Sequence, residues 1–176
     1  MRLSPYPERA MDLLIFLAVA VGSYYLMSFL QTVLHRDFGH RKVILPVFKA
    51  HAIGHHGQYN PNNLQTEKFI DLESHALNYY GIPIVIVAAV VWMLAGPLVM
   101  TAHLLGVFVT FRLNIYLHRH YHLVETPLER FAWFRKKRAL HYIHHRDARY
   151  NFAVIEFWMD HLLGTRKDPE AAETRR

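Results

Sequence analysis

The chain has 176 residues, enough for one domain, and combines 52% hydrophobic with 19% charged residues at a formal net charge of +6. Soluble domains carry charge on about a quarter of their residues. The apolar surplus here lies in two long runs, which excludes an ordinary soluble fold and points to an all-α integral membrane protein. Cysteine is absent, which excludes disulfides, thiolate metal sites and a cysteine nucleophile. The basic residues flank the apolar runs, so anionic headgroups rather than nucleic acid are their expected neighbours.

The first run, Leu13 to Leu34, has no charged residue and is long enough for the roughly 20 residues that cross a bilayer. It lacks the short apolar core and small-residue cleavage site of a signal peptide, so an uncleaved helix is expected. The second run, Ala76 to Tyr116, holds Arg112 as its only charge. As one helix it would reach roughly 60 Å, about twice the hydrocarbon thickness. It should fold into a hairpin at Gly96-Pro97, because proline disfavours helix in the residue before it and breaks the ladder. Spans are therefore predicted near 13–34, 77–95 and 98–117, with 57–72 as a polar loop.

Three crossings put 35–75 and 118–176 on one side, where they form a helical cap. Every Lys and Arg except Arg2, Arg9 and Arg112 lies there, so that side is expected to be cytoplasmic and the N-terminus outside. Thr126-Pro127-Leu128-Glu129 reads as a capped helix start, with the helix running to about His145. Residues 1–167 form a single predicted domain, and 168–176 a disordered tail.

Ten of the 14 histidines fall in four clusters: His35-x4-His40, His51-x3-His55-His56, His118-x3-His122 and His141-x2-His144-His145. Positions three or four apart share a helix face. His118 with His122, and His141 with His144 and His145, therefore point the same way. His51 pairs with His55 by the same rule, while His56 lies off to the side, in reach of a second metal. His35 and His40 are five apart, and a helix break at Gly39 would re-aim His40. Four clusters on one side, His35 and His118 directly following spans, predict a metal site, and ten imidazoles exceed the need of one ion. Of the remaining histidines, His120 is expected to be exposed, His161 to pack the tail, and His103 to make a structural hydrogen bond inside a span. His75 is a further ligand or an outer partner of one.

Soluble di-iron bundles use Glu-x-x-His, and none occurs here. His-Glu-x-x-His, Gly-x-Ser-x-Gly and Walker loops are also missing. The four boxes together, with HYIHHRDARYNFAVIEFWMDHLLGT near the C-terminus, resemble the fatty acid hydroxylase and sterol desaturase superfamily of membrane di-iron enzymes. The matching positions in that stretch are His141, His144, His145, Asn151, Phe152, Asp160, Gly164 and Thr165. Met159 stands where the family usually has Trp.

The resemblance implies two iron ions held by His35, His40, His51, His55, His56, His118, His122, His141, His144 and His145. Imidazole also suits zinc, so purified protein can carry whichever metal is available. It further implies O2 as co-substrate, hydroxylation or desaturation of an acyl chain or sterol taken from the bilayer, and a separate electron donor of ferredoxin, cytochrome b5 or reductase type. Asn151 and Asp160 are candidates either for outer partners that fix imidazole tautomers or for turn and cap residues. Trp158 and Phe157 read as interfacial anchors. The run Arg135-Lys136-Lys137-Arg138 reads as a headgroup contact or a dock for an acidic electron-transfer protein.

Two other readings stay open. Bacterial carotenoid ring hydroxylases are similar in length, but usually have four spacers in the third box where His118 and His122 have three. A non-catalytic metal- or haem-binding membrane protein is the other. A haem needs one or two axial histidines, and a transporter would place ionisable groups near mid-membrane.

Overall fold

The first apolar run forms one helix, α1 (Tyr6–Leu34), in the computed structural model, which describes residues 6–74 and 77–169. The helix does not stop at Leu34. It passes into a π-helical turn, His35–Gly39, in which backbone hydrogen bonds span five residues instead of four. The same widening recurs in the next segment. There α2 (Leu45–Phe48), with proline in its first turn, continues as a π-helix over Lys49–His55 and ends in α3 (His56–Gln58).

The second apolar run is α4 (Leu77–Tyr121), interrupted at Gly96, whose φ of 73° and ψ of 177° lie outside the helical region. A positive φ suits glycine, and Pro97 has no N–H to continue the ladder. Pro83 and Ile84 line the same cavity as Val107, Phe111 and Ile115. In a straight helix Pro83 and Phe111 would stand about 42 Å apart, so the chain doubles back at Gly96.

The later half of α4 runs parallel to α1. Ser23 Oγ lies 2.9 Å from His103 Nδ1, Thr110 donates to the Tyr24 carbonyl at 3.3 Å, and Gln31 lines a cavity with Asn114. Gly106 sits at the closest approach, where an added Cβ would be 2.5 Å from the Ala20 carbonyl oxygen. Such small-residue crossings let membrane helices pack backbone to backbone.

Two helical stretches, Glu8–Gly39 and Gly81–Tyr121, are long and apolar enough to cross a membrane. Their outer faces expose large apolar side chains, from Leu14 at 62% to Leu94 at 80%. Contiguous apolar surface on this scale marks a lipid or partner contact.

Beyond α4, the Thr126 hydroxyl accepts from the Leu128 N–H, as the cap motif predicts. The helix that follows comes in two pieces, a 3₁₀ turn at Pro127–Arg130 and α5 (Ala132–Arg146), separated at the extended Phe131. Glu129 forms an ion pair with Arg138, and Arg135 donates to the Glu129 carbonyl. Lys137 bonds the Ile155 carbonyl. Three of the four residues in the basic run thus bond within the cap, with Arg135 and Lys137 half-buried, while Lys136 is exposed.

The core of the cap joins Leu117 and Tyr121 of α4 to Phe134 and Leu140 of α5 and to Val154, Ile155 and Phe157 of the C-terminal loop. Phe157 is thus a core residue and not an interfacial anchor, whereas Trp158 is 46% exposed beside Tyr25. His161, in α6 (Met159–Leu162), is exposed. His75, and the predicted tail from residue 170 onward, lie outside the described residues. Among the described residues there is no strand, only one parallel bridge from Thr66 to Leu123 that seats the polar loop against the end of α4.

Candidate metal centre

All ten clustered histidines converge at the ends of α1 and α4, and they divide into two groups of five. His35, His40, His51, His56 and His144 form one; His55, His118, His122, His141 and His145 form the other. Within each group one nitrogen per residue lies within 4.8 Å of all the others.

The backbone explains the division. His118 with His122, and His141 with His145, are four apart on α-helix and stay together, as their spacing predicts. His35 with His40, and His51 with His56, are five apart, and the π-helical turns bring such positions onto one face. The His56 N–H bonds the His51 carbonyl, five residues back. The helix ends at Gly39, with His40 as its C-cap, as expected, and Gly39 also makes room: a Cβ there would lie 3.0 Å from His51 Cδ2 and 3.2 Å from His35 Cδ2. Two expectations are corrected. His51 groups with His56 and not with His55, and His144 leaves its box partners for the other group.

Tautomers follow from the hydrogen bonds. The Nδ1 atoms of His35, His122, His144 and His145 face the carbonyl oxygens of Phe152, Leu64, Tyr150 and Tyr59 at 2.5–2.8 Å. His51 Nδ1 faces a Glu73 carboxylate oxygen at 2.6 Å. A carbonyl only accepts, so each facing Nδ1 carries the hydrogen and each Nε2 presents a bare lone pair. Those Nε2 atoms crowd together. His35 and His51 are 2.7 Å apart, His40 and His144 3.0 Å, His122 and His141 3.0 Å, and His141 and His145 3.1 Å.

In His35 and His51, where both Nδ1 hydrogens are fixed, lone pair meets lone pair at 2.7 Å, which is repulsive. Protonation would relieve it, but burial first, and neighbouring imidazoles second, push His51, His55, His141, His144 and His145 well below the ordinary 6.5. Burial likewise lowers His122 to about 4. A divalent cation in each group removes the repulsion without a proton. Neutral imidazoles oriented through their far nitrogen are the donor set that borderline transition metals prefer, so the residues fit a metal pair.

Glu73 stands between the groups. Its carboxylate lies 2.6 Å from His51 Nδ1 in one group, and 3.7 and 3.8 Å from His55 and His118 Nδ1 in the other. The box pattern gave no sign of it. The available hint was a carboxylate in an otherwise polar loop immediately before an apolar run. An apolar cavity opens beside the groups, between α1 and both halves of α4, and reaches His35, His51, His118 and Glu73.

A model of the fatty acid hydroxylase family matches residues 20–165. The chain belongs to the fatty acid hydroxylase family. That family is part of the sterol desaturase and fatty acid hydroxylase superfamily and implies oxidoreductase activity. No curated protein and no solved structure matches the chain.

In this family member, Asn151 and Asp160 serve the backbone and do not hydrogen-bond an imidazole, so the turn-and-cap alternative is the one observed. Asp160 accepts from the N–H groups of Phe152 and Ala153 and from the Thr165 hydroxyl. Asn151, at a positive φ of 53°, bonds Leu140 and Lys167. Asp160 nevertheless reaches the site indirectly, because it fixes Phe152, whose carbonyl holds His35. The other described histidines lie outside both groups. His103 pairs with Ser23, as expected inside a span, and His120 is half-buried and bonded to Thr126 instead of exposed.

Proposed function

We propose that this member of the fatty acid hydroxylase family is a membrane di-iron oxygenase that hydroxylates or desaturates a lipid-like substrate drawn from the bilayer, using O2 and an external electron donor. The observation that carries the reading is the convergence of ten imidazoles, in two groups of five, beside a largely apolar cavity.

His35, His40, His51, His56 and His144 would hold one ion, and His55, His118, His122, His141 and His145 the other. A bound iron pair supplies dioxygen activation and hydrogen removal from an unactivated C–H bond. The chain's own residues do the rest. The backbone carbonyls and Glu73 hold the Nδ1 hydrogens of His35, His51, His122, His144 and His145, which keeps their Nε2 atoms free to ligate. The walls of α1 and α4 admit an apolar chain and exclude water from the reacting carbon.

The parallel course of α1 and the later half of α4, with reversal at Gly96, supports three crossings. The charge distribution supports a cytoplasmic face for the histidines. The test is lipid profiling of cells that express the wild type or His144→Ala. A lipid that gains one oxygen atom or loses two hydrogens only with the wild type supports the reading. Identical profiles, with both proteins present in the membrane, reject it.

A further inference from the structure

The cavity beside the histidine groups is lined mainly by apolar side chains, with the site histidines, Asp71, Glu73, Ser74 and Thr110 among its polar lining. Gln31 on α1 and Asn114 on α4 both line it. Gln31 Oε1 and Asn114 Nδ2 are buried and have no hydrogen-bond partner in the described structure. Their sequence positions locate them. Gln31 stands four residues before His35, a member of one group, and Asn114 four residues before His118, a member of the other. On an α-helix that spacing is one turn, about 6 Å along the axis. Each amide therefore lies one turn below a metal-site histidine, on the same face of its helix.

An unpaired buried amide is costly, and in a binding cavity the group that satisfies it comes from the ligand. One of these atoms accepts and the other donates. A hydroxyl does both and is the smallest group that does so.

We propose that Gln31 and Asn114 form the specificity element of the cavity, and that its substrate is a lipid carrying a hydroxyl close to the carbon presented to the metal centre. The proposal rests on the cavity being the lipid site. A pure hydrocarbon, including a carotene ring, leaves both amides unpaired and is disfavoured. The same loss of a hydrogen-bonding partner is what lets a polar site reject an analogue lacking a hydroxyl.

The test compares hexadecan-1-ol with n-hexadecane, matched in chain length, by thermal-shift titration of the detergent-purified full chain. Wild-type protein is expected to bind the alcohol about tenfold more tightly, the ratio that two net hydrogen bonds supply. Gln31→Leu/Asn114→Leu is expected to bind both probes alike, with the metal content of the wild type. Equal binding of the two probes by wild-type protein overturns the proposal and needs no variant. A preference that survives in the double variant, or in each single variant should the double fail to fold, also overturns it. Binding of neither probe removes the lipid-cavity reading itself, and the proposal with it.

Discussion

His55 and His56 are adjacent in the chain and stand in different histidine groups. His144 and His145 repeat the division. Successive residues on a helix point about 100° apart, so each adjacent pair reaches two ions at once and ties the groups through one stretch of backbone. His55→Ala and His56→Ala should therefore empty different sites. Each is expected to lower the metal content from two ions toward one per chain, as read by elemental analysis. Activity should fall by more than the ~10–100-fold that disturbing an outer partner costs. If either variant keeps both ions, the division into groups is wrong.

Glu73→Gln keeps an oxygen that can accept from His51 but removes the charge facing both groups. Metal affinity, measured by competition with a chelator, should drop ~10–100-fold, with helical content unchanged. Loss of helix instead would make Glu73 a structural residue.

Acidification should unfold the metal-free protein early. Burial holds the site imidazoles below their ordinary value of 6.5, with His122 near 4. Between those values the unfolded chain binds more protons than the folded one, so stability falls as pH drops from about 6.5 toward 4 and is highest above that window. Melting temperature followed across the window should decline steadily in the metal-free protein, and bound metal should raise it at each pH. A flat profile would contradict the burial of the site.

Asp160→Asn weakens three hydrogen bonds at the loop that presents Phe152 to His35. Loss of bonds to a buried carboxylate predicts destabilisation of about 3 kcal/mol, visible as a lower unfolding midpoint. A loss of metal in protein that remains folded is not expected.

Gly106→Leu drives a side chain into the α1 backbone, where even a Cβ would meet the Ala20 oxygen at 2.5 Å. The two helices must separate, and the protein should lose its folded, metal-loaded fraction on size-exclusion chromatography. Gly57→Ala, where an added Cβ meets nothing within 4 Å, is the control.

The histidine positions, the apolar runs and the break at Gly96 were legible because each depends on local spacing or local backbone chemistry. The assignment of His51, His56 and His144 was not. The pairing of His51 with His56 depends on a π-helical turn, and an α-helical reading puts a spacing of five on the wrong face; His144 lies on the α-helical α5, about 60° round from His141, and the same-face rule is too coarse to separate the two. Glu73 was invisible because a loop residue acquires its partners only when the chain folds over the site. Asp160 was visible as a candidate cap residue but its link to His35 was not, since it acts through the backbone of Phe152, which no motif records. Gln31 and Asn114 could have been found by asking which side chain sits one turn before each histidine that follows a span.

The most direct test of the central claim is the metal content of detergent-purified protein made in iron-replete cells. Two irons per chain, falling toward one in both His55→Ala and His56→Ala, is the predicted result. One ion or none in wild-type protein that keeps its helical content would contradict a two-metal centre.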